Sequence, residues 1–360
     1  MSWWNSQCTH IWIFSVGRGN AAFLRTGLNQ GFILDMGTGD LIDPAKFIQD
    51  NFLPRLDNYK GSKIAQVILS HPHADHVSQC SALGKGEKLY SSLLTCPHDK
   101  DIPPEIGQNE KVDWARIEDP SGQNKDLLDA YRHLFTGRCV PLQTINYDSS
   151  RDIPNLEYGI YYIRPPICND LHSENTKYGN AMSLVFYLRH GEHTVLFPGD
   201  ITPEAMELIL EEKDGLEKRY SILTAGFSDK YPRWHIETQN QPSLKSFLSS
   251  RGLTILIAPH HGLESCYSEE LYDAIRGGKP RLVVISERRR KNESPGRIDT
   301  RYQSEQGASG LDVEIQGKTE RRRSITTVSG HHILIVFSGT GRPRVYANTD
   351  PMALLNIISS

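Results

Sequence analysis

The chain has 360 residues, 38% of them hydrophobic, and a formal net charge of −3 at pH 7. This length and composition suit one large domain with a substantial core, and the slightly acidic balance argues against a strongly basic nucleic-acid-binding protein. The sequence contains no apolar run long enough to span a bilayer, no basic-then-apolar leader and no CxxC pair among its six cysteines. We therefore expect a cytoplasmic protein that does not associate with membranes.

Hydrophobic patterning predicts alternating strands and helices, which is typical of an α/β fold. The predicted strands, in chain order, are 10–16, 21–26, 31–37, 64–69, 158–163, 183–188, 194–197, 253–258, 281–286, 332–337 and 344–346. The predicted helices are 43–51, 77–83, 126–135, 203–212 and 268–276. We predict a single domain over residues 1–360, with insertions at about 85–158 and 213–250 and a polar, arginine-rich segment at 287–330.

The most informative motif is SHPHADH at residues 70–76, directly after the predicted strand 64–69. It brings His71, His73, Asp75 and His76 to the end of one strand. Imidazole nitrogens suit zinc, iron or manganese, and carboxylate oxygens complete such a coordination shell. The motif therefore predicts a site for two divalent metal ions.

Two further predicted strands end in residues of the same type. Asp200 follows the strand 194–197, and His260 and His261 follow the strand 253–258. Strands of one sheet can end at a shared edge of the fold, and a two-metal site needs a carboxylate between its ions. We expect Asp200 to bridge the two metals.

Taken in this order, the motifs resemble the metallo-β-lactamase fold superfamily, and most closely the branch found in the DNA-uptake protein ComEC. The matching segments are 16–21, 32–37, 70–76, 180–185, 196–200 and 258–262. The resemblance implies an αββα sandwich, in which two mixed sheets pack together, helices lie outside and the metals lie at one edge.

The resemblance also implies roles for individual residues. The implied metal ligands are His71 and His73 for the first ion, Asp75 and His76 for the second, Asp200 between the ions and His261 as the last ligand. Asp75 would also orient the attacking hydroxide, and His260 would protonate the leaving group, although His260 and His261 could exchange roles. The expected cofactors are two divalent ions, zinc before manganese, and a single ion stays open.

The chain departs from the family pattern at two positions. Many members have a histidine before the strand pair that leads to the bridging aspartate, and this chain has Asn180 in that region. The serine of the branch after His-His-Gly is replaced by Leu263. We expect Asn180 to contact substrate, and the first metal to be held more weakly than in the family.

The resemblance implies a metal-dependent hydrolase. The run Arg288, Arg289 and Arg290 favours phosphate binding, so we expect a phosphodiesterase or nuclease that uses a metal-bound hydroxide on nucleic acid or a nucleotide. A second run at 321–323 carries the same argument, and for both runs the alternative is a solvated surface without a ligand. Two alternatives stay open: hydrolysis of a carboxylic ester, lactone or amide, and a regulatory or binding subunit with a residual metal site. A protein partner also stays open.

Overall fold

The computed structural model describes residues 8–17, 19–27, 29–58, 62–91, 93–97, 125–134, 156–163, 178–211, 243–287, 298–338 and 341–359. These residues form two mixed β-sheets packed face to face, with helices against both outer faces. This arrangement confirms the predicted αββα fold class.

The larger described sheet has nine strands in the order β12-β11-β15-β14-β1-β2-β3-β4-β5. Their bounds are β1 Thr9–Ile13, β2 Ala21–Arg25, β3 Gly31–Met36, β4 Ile64–Ile68, β5 Leu94–Thr95, β11 Leu311–Ile315, β12 Lys318–Arg322, β14 His332–Phe337 and β15 Arg344–Asn348. The strands β3, β4 and β5 run parallel, so β4 delivers the 70–76 motif to the carboxyl edge of that group.

The smaller described sheet has six strands in the order β13-β10-β9-β8-β7-β6. Their bounds are β6 Leu156–Tyr161, β7 Val185–His190, β8 His193–Phe197, β9 Ile255–Ile257, β10 Leu282–Ile285 and β13 Ser324–Thr326. The strands β8, β9, β10 and β13 are parallel to one another. Residues that follow these four strands therefore lie at one edge of the sheet.

The described helices cover the outer faces of the two sheets. Their bounds are α1 Pro44–Asn51, α2 Ala74–Val77, α3 Lys125–His133, α4 Tyr178–Ala181, α5 Pro203–Glu211, α6 Leu244–Arg251, α7 Glu269–Ala274 and α8 Pro351–Ser359. The first begins as the sequence predicts, because Asp43 accepts a hydrogen bond from the backbone N–H of Lys46 at 2.9 Å and proline follows Asp43. In the described ranges, no helix is both long and apolar enough to cross a membrane.

Strand β1 shows why the sandwich forms. Its side chains alternate between two apolar environments: Ile11 and Ile13 pack between the sheets, whereas Trp12 packs against the outer helix layer. The ring of Trp12 meets that of Phe52 edge-on at 5.1 Å, just past α1. A strand buried on both faces needs a continuous apolar run, which is the pattern that the sequence shows here.

The structure differs from the predicted elements in the chain after residue 76. The predicted helix 77–83 is instead the single turn α2, which begins at Ala74, followed by a 3₁₀ turn over Cys80–Leu83. The polar segment 287–330 contains the strands β11, β12 and β13. All five residues of β12 are exposed at the edge of the sheet, so this strand has no apolar pattern to reveal it.

Much of the two predicted insertions lies outside the described residues. Within 213–250, however, α6 is part of the helix layer, since the ring of Phe247 stacks on that of Tyr187 in β7 at 4.7 Å. Within 85–158, α3 packs near the 3₁₀ turn that follows the metal motif, and its Tyr131 donates a hydrogen bond to the backbone carbonyl of Pro97 at 2.6 Å. These helices extend the packed core of the domain.

Candidate metal centre

The carboxyl ends of strands from both sheets meet at one edge of the sandwich. The backbone N–H of Leu184 donates to the carbonyl of Ser70 at 2.9 Å, and the Ser286 hydroxyl donates to the carbonyl of Gly19 at 2.7 Å. Each of these bonds joins a segment next to a strand of one sheet to a segment next to a strand of the other. The sequence motifs at 70–76, 200 and 260–261 are brought together at this junction.

A first group of ligand-type atoms consists of His71, His73 and Asp200. Nε2 of His71 lies 2.8 Å from Nδ1 of His73 and 3.8 Å from Oδ2 of Asp200. His71 and Asp200 are fully buried, and His73 is half-buried. Three nitrogen and oxygen atoms thus converge on one point beside the end of β4.

A second group consists of Asp75, His76, Asp200 and His261. Nε2 of His76 lies 3.1 Å from Oδ1 of Asp200, and Nε2 of His261 lies 3.3 Å from Oδ2 of Asp75 and 3.8 Å from Oδ2 of Asp200. Asp200 belongs to both groups, which is the position that a bridging carboxylate requires.

Hydrogen bonds fix the tautomers of two histidines. Nδ1 of His261 lies 2.8 Å from the backbone carbonyl of Ser286, which can only accept, so Nδ1 carries the proton. Nδ1 of His76 lies 2.8 Å from Oδ2 of Asp35 and donates to that carboxylate. In both rings Nε2 faces the centre and is the nitrogen that a metal ion would take in place of a proton.

Asp35 also belongs to the site, although it is not among the site residues that the sequence predicts. This buried carboxylate accepts from the backbone N–H of Ser70 at 2.6 Å and from the Ser70 hydroxyl at 2.8 Å, besides orienting His76. The Ser70 hydroxyl in turn lies 3.1 Å from Nδ1 of His71. The signal in the sequence was a strand, 31–37, that ends on an acidic residue.

Two glycines allow the motif to approach the neighbouring loops closely. A Cβ atom at Gly19 or Gly37 would lie 2.2 or 2.1 Å from the backbone carbonyl oxygen of Asp75, which is far inside contact distance. That oxygen accepts a hydrogen bond from the N–H of Asn20 at 3.2 Å. The absence of side chains at these positions therefore sets the place of Asp75 in the centre.

His260 lies beside the two ligand groups and belongs to neither. Its Nδ1 is 3.2 Å from Sγ of Cys266 and 3.4 Å from Nδ2 of Asn180, and its Nε2 is 3.5 Å from Oδ2 of Asp200. Burial raises the pKa of the Cys266 thiol to about 12, so that thiol keeps a proton to donate. With Nδ1 accepting, Nε2 of His260 carries a proton directed at Asp200. This arrangement favours His261 as the ligand and His260 as the proton donor.

The turn that presents these two histidines has an uncommon backbone. His260 has φ 45° and His261 has φ 58°, so two consecutive non-glycine residues lie in the left-handed region. Such a conformation costs free energy, on the order of 1 kcal/mol or more for each residue, and is held by the surrounding structure. The N–H of His260 donates to the carbonyl of Gly199 at 3.1 Å, which ties this turn to the residue before Asp200.

The residues of the centre differ in the direction in which their pKa values are shifted. Burial and the nearby rings of His76 and His73 hold the pKa of His71 well below its usual value. Burial opposes charge at His76 as well, but the carboxylates of Asp200 and Asp35 raise its pKa well above the usual value. Burial likewise opposes ionisation of Asp200, and the surrounding histidines still hold its pKa well below the usual range. The carboxylates thus favour a positive charge at this buried position, either on a histidine ring or as a bound cation.

The residues present fit a metal ion. Nε2 of His76 and Oδ1 of Asp200 are both fully buried, and neither forms a hydrogen bond of acceptable geometry. Neighbouring donors around a tetrahedral zinc lie about 3.3 Å apart, as bonds of about 2.0 Å imply. The separations of 2.8 to 3.8 Å in the two groups bracket that value. A cation would satisfy the buried atoms that the protein leaves unsatisfied.

The arginines expected to bind substrate are not brought to the centre by the described part of the chain. Arg288, Arg289 and Arg290 lie outside the described residues. The second run, 321–323, ends where β13 begins, and the carbonyl of Arg323 accepts from the N–H of Val283 near the start of β10. Because β10 and β13 run towards the centre, this second run lies at the opposite end of the sheet.

Comparison with known proteins adds little to this geometry. The chain matches no protein-family model and no curated protein sequence. It is similar to the crystal structure of Zn²⁺-bound PqqB from Methylobacterium extorquens, with 12% identity, a TM-score of 0.31, and coverage of 69% of this chain and 88% of PqqB. At that identity and TM-score, the function of this chain has to be argued from its own residues.

Proposed function

We propose that this chain is a metal-dependent hydrolase of the metallo-β-lactamase superfamily, and that it acts as a phosphodiesterase on nucleic acid or a nucleotide. The observation that carries the proposal is the pair of ligand groups that share Asp200. Histidine nitrogens and carboxylate oxygens from three separate strand ends converge there, as a two-metal hydrolytic site requires.

The assignment of ligands follows from the two groups. His71, His73 and Asp200 would hold one ion, and Asp75, His76, His261 and Asp200 the other. The ions that such donors suit are zinc first and manganese second. When bound, they would supply Lewis acidity and lower the pKa of a water molecule towards neutrality.

Exposure within the centre indicates the side from which substrate approaches. The side chains of His71, His76 and Asp200 are at most 1% exposed, whereas those of Asp75 and His260 are 36% and 22% exposed. Asp75 and His260 are therefore members of the centre that a substrate can contact. We propose that Asp75 orients the nucleophile and that Nε2 of His260 donates a proton to the leaving oxygen.

The chain on both sides of the first arginine run adjoins the centre. On one side, the carbonyl of Ser286 accepts the bond from Nδ1 of His261. On the other side, the N–H of Asp299 donates to the carbonyl of Gly262 at 2.8 Å. The segment 288–297, which contains Arg288, Arg289 and Arg290, connects these two points. Guanidinium groups bind phosphate through paired hydrogen bonds, and we propose that this segment supplies them to the substrate.

One observation favours the second candidate, hydrolysis of a carboxylic ester, lactone or amide. Among the described residues, no lysine or arginine forms an ion pair or hydrogen bond with Asp75, Asp200 or His260. A neutral substrate needs no cation beside the metals. The phosphodiester proposal therefore depends on the arginine-bearing segment, and the ester proposal does not.

The test is hydrolysis of three substrates by the full chain with zinc or manganese: bis-p-nitrophenyl phosphate, single-stranded DNA and p-nitrophenyl acetate. The variant is His73→Ala, and the matched control is His133→Ala, an exposed histidine on α3. Metal-dependent cleavage of both phosphodiesters, lost in His73→Ala and kept in His133→Ala, is the expected result. Cleavage of the acetate alone would replace the phosphodiester proposal with the ester one. Bound metal without any hydrolysis would favour a binding or regulatory subunit.

A further inference from the structure

A second cleft lies at the end of the smaller sheet that is opposite the metal centre. Its volume is about 440 Å³, which is within the range of roughly 300–1,000 Å³ that is typical of small-molecule sites. Its lining includes His193, Thr254 and Arg281, which begin or directly precede β8, β9 and β10. Asp200 and His261 of the metal centre follow the other ends of β8 and β9.

The cleft is strongly basic. Arg251, Arg276, Lys279 and Arg281 line it, and Glu192 is the one acidic residue among its described lining. Within the parts of the chain that the structure describes, none of the four cations forms an ion pair with a carboxylate. Four positive charges thus face one space, and no carboxylate among the described residues is paired with any of them.

Two of the cations are held in place by backbone carbonyls. Nη1 of Arg276 donates to the carbonyl of Ser250 at 3.2 Å, and Nζ of Lys279 donates to the carbonyl of Glu305 at 2.6 Å. These bonds position the side chains and leave their charges uncompensated. Because these side chains are already ordered, the binding of an anion here costs less conformational entropy.

Arg281 shows most directly that the positive charges in and around this cleft repel one another. It is half-buried, and burial together with the nearby charges of Arg321 and Arg342 lowers its pKa. Arg321 is itself paired with Asp312 at 3.3 Å, so that carboxylate is shared. A negatively charged ligand would offset the repulsion at this position.

The rim of the cleft leaves room for a ligand. The turn at Gly277 and Gly278 has φ values of 86° and 73°, and no heavy atom lies within 4 Å of where a Cβ would be at either residue. Gly277 lines the cleft directly. At this turn the wall is therefore open backbone, which a ligand can approach closely.

We propose that this cleft binds a small molecule with two or more adjacent phosphate groups, such as a nucleoside diphosphate or pyrophosphate. Guanidinium groups bind phosphate oxygens through paired hydrogen bonds, and Lys279 would add a point charge. A single orthophosphate would engage only part of a set of four cations. Because the cleft is at the far end of the sheet, its ligand is distinct from the substrate of the metal centre.

The test is isothermal titration calorimetry of the metal-loaded full chain with pyrophosphate, with ADP and with orthophosphate. We expect pyrophosphate and ADP to bind, and orthophosphate to bind roughly tenfold or more weakly, because fewer charge-assisted bonds form. Stronger binding of ADP than of pyrophosphate would identify a nucleotide site, and equal binding an inorganic one. Both results support the proposal.

Four variants test where the phosphate ligand binds. Arg281→Gln and the exposed Arg251→Gln should each weaken pyrophosphate binding about tenfold. Arg322→Gln, on the exposed edge strand β12, is the matched control and should have no effect beyond twofold. Binding should also survive His73→Ala, which disables the metal centre. Circular dichroism verifies that each variant is folded.

Several outcomes would overturn the proposal. Binding that disappears in His73→Ala would belong to the metal centre. An equal loss in Arg322→Gln would indicate a diffuse attraction to positive charge. Binding of a single-stranded oligonucleotide without binding of pyrophosphate or ADP would make this end of the protein a nucleic-acid surface, and no binding of any of these probes would leave the cleft without a phosphate ligand.

Discussion

Oδ2 of Asp35 lies 2.8 Å from Nδ1 of His76, and this bond directs the other nitrogen of the ring, Nε2, towards Asp200. The two residues are 41 positions apart in the chain. The carboxylate thereby fixes both the tautomer and the orientation of a proposed metal ligand without contacting the metal position itself.

Asp35→Asn should weaken metal binding. The amide keeps the size of the side chain but replaces a charged acceptor, so the Nδ1–H tautomer of His76 is no longer favoured. We expect zinc affinity to fall about 10- to 100-fold, as for comparable hydrogen-bond partners of metal ligands. Competition with a chromogenic chelator measures it. Asp50→Asn, on the exposed side of α1, should leave the affinity unchanged, and equal affinity in Asp35→Asn and wild type would refute the role.

Removal of metal should destabilise the protein. Without a cation, Nε2 of His76 and Oδ1 of Asp200 are buried and unsatisfied. A metal present at about 100 times its dissociation constant would stabilise the fold by about 2.7 kcal/mol. We expect EDTA to lower the Tm by roughly 3 to 4 °C, and added zinc or manganese to restore it. A Tm that does not respond to either treatment would count against a metal site.

His260→Gln should separate proton donation from metal binding. A p-nitrophenolate leaving group needs little protonation, whereas the alkoxide of a DNA strand needs it. We expect DNA cleavage to fall about 100-fold or more, a much smaller effect on bis-p-nitrophenyl phosphate, and unchanged metal content. His261→Gln should lose metal and both activities. The opposite pattern in the two variants would exchange their roles.

Gly37→Ala should disturb the centre through steric overlap alone. The new Cβ would lie 2.1 Å from the carbonyl oxygen of Asp75, so the motif must move. Gly86→Ala is a demanding control, because its φ of 95° strains the backbone although no atom lies within 4 Å of the new Cβ. We expect metal affinity to fall in the first variant only. Similar losses in both would mean that general destabilisation is the cause.

His332 should make stability depend on pH well away from the centre. Burial lowers its pKa from 6.5 to about 4, and its Nδ1 accepts from the backbone N–H of Ser15 at 3.1 Å. The folded state therefore binds fewer protons than the unfolded state, so this stability is fully present above pH 6.5 and is lost as the pH falls towards 4.

Between pH 7.5 and pH 5 the loss from His332 should be about 2 kcal/mol in the free energy of unfolding. Urea unfolding at the two pH values measures it. His332→Gln should show a smaller dependence on pH, because glutamine can accept the same bond and does not titrate. His133→Gln, at an exposed histidine, should behave as wild type. An unchanged dependence in His332→Gln would exclude this residue as the cause.

The sequence was most informative where apolar strands end in polar residues. The strands before residues 70, 200 and 260 are apolar on both faces, so their positions could be predicted, and with them the convergence of His71, Asp200 and His261. Asp35 was less apparent, because a single acidic residue near the end of a strand does not by itself indicate a metal site. Strand β12 could not be found from hydrophobicity, since its stability comes from pairing with β11 and not from burial.

The positions of strand ends predict which residues lie near one another, but not which of their atoms are in contact. The sequence could not show that Ser70 and Ser183 lie against His71, because hydroxyl partners depend on distances that only the packed sheets define. The sequence also did not reveal the basic cleft around Arg281, whose cations come from two connections, α6–β9 and α7–β10, at the other end of the sheet. These residues match no known motif, and the two connections meet only in the folded chain.

The ligand set of the centre extends from His71 to His261, with Asp200 between them. During synthesis the 70–76 motif therefore leaves the ribosome long before Asp200 and His261 have been made. Strand β1 can pair fully even later, because its neighbour β14 is made near the end of synthesis. Neither proposed ion can acquire its full shell on the nascent chain until both sheets have docked. Metal loading would thus be a late event, and it would mark the chains that have completed folding.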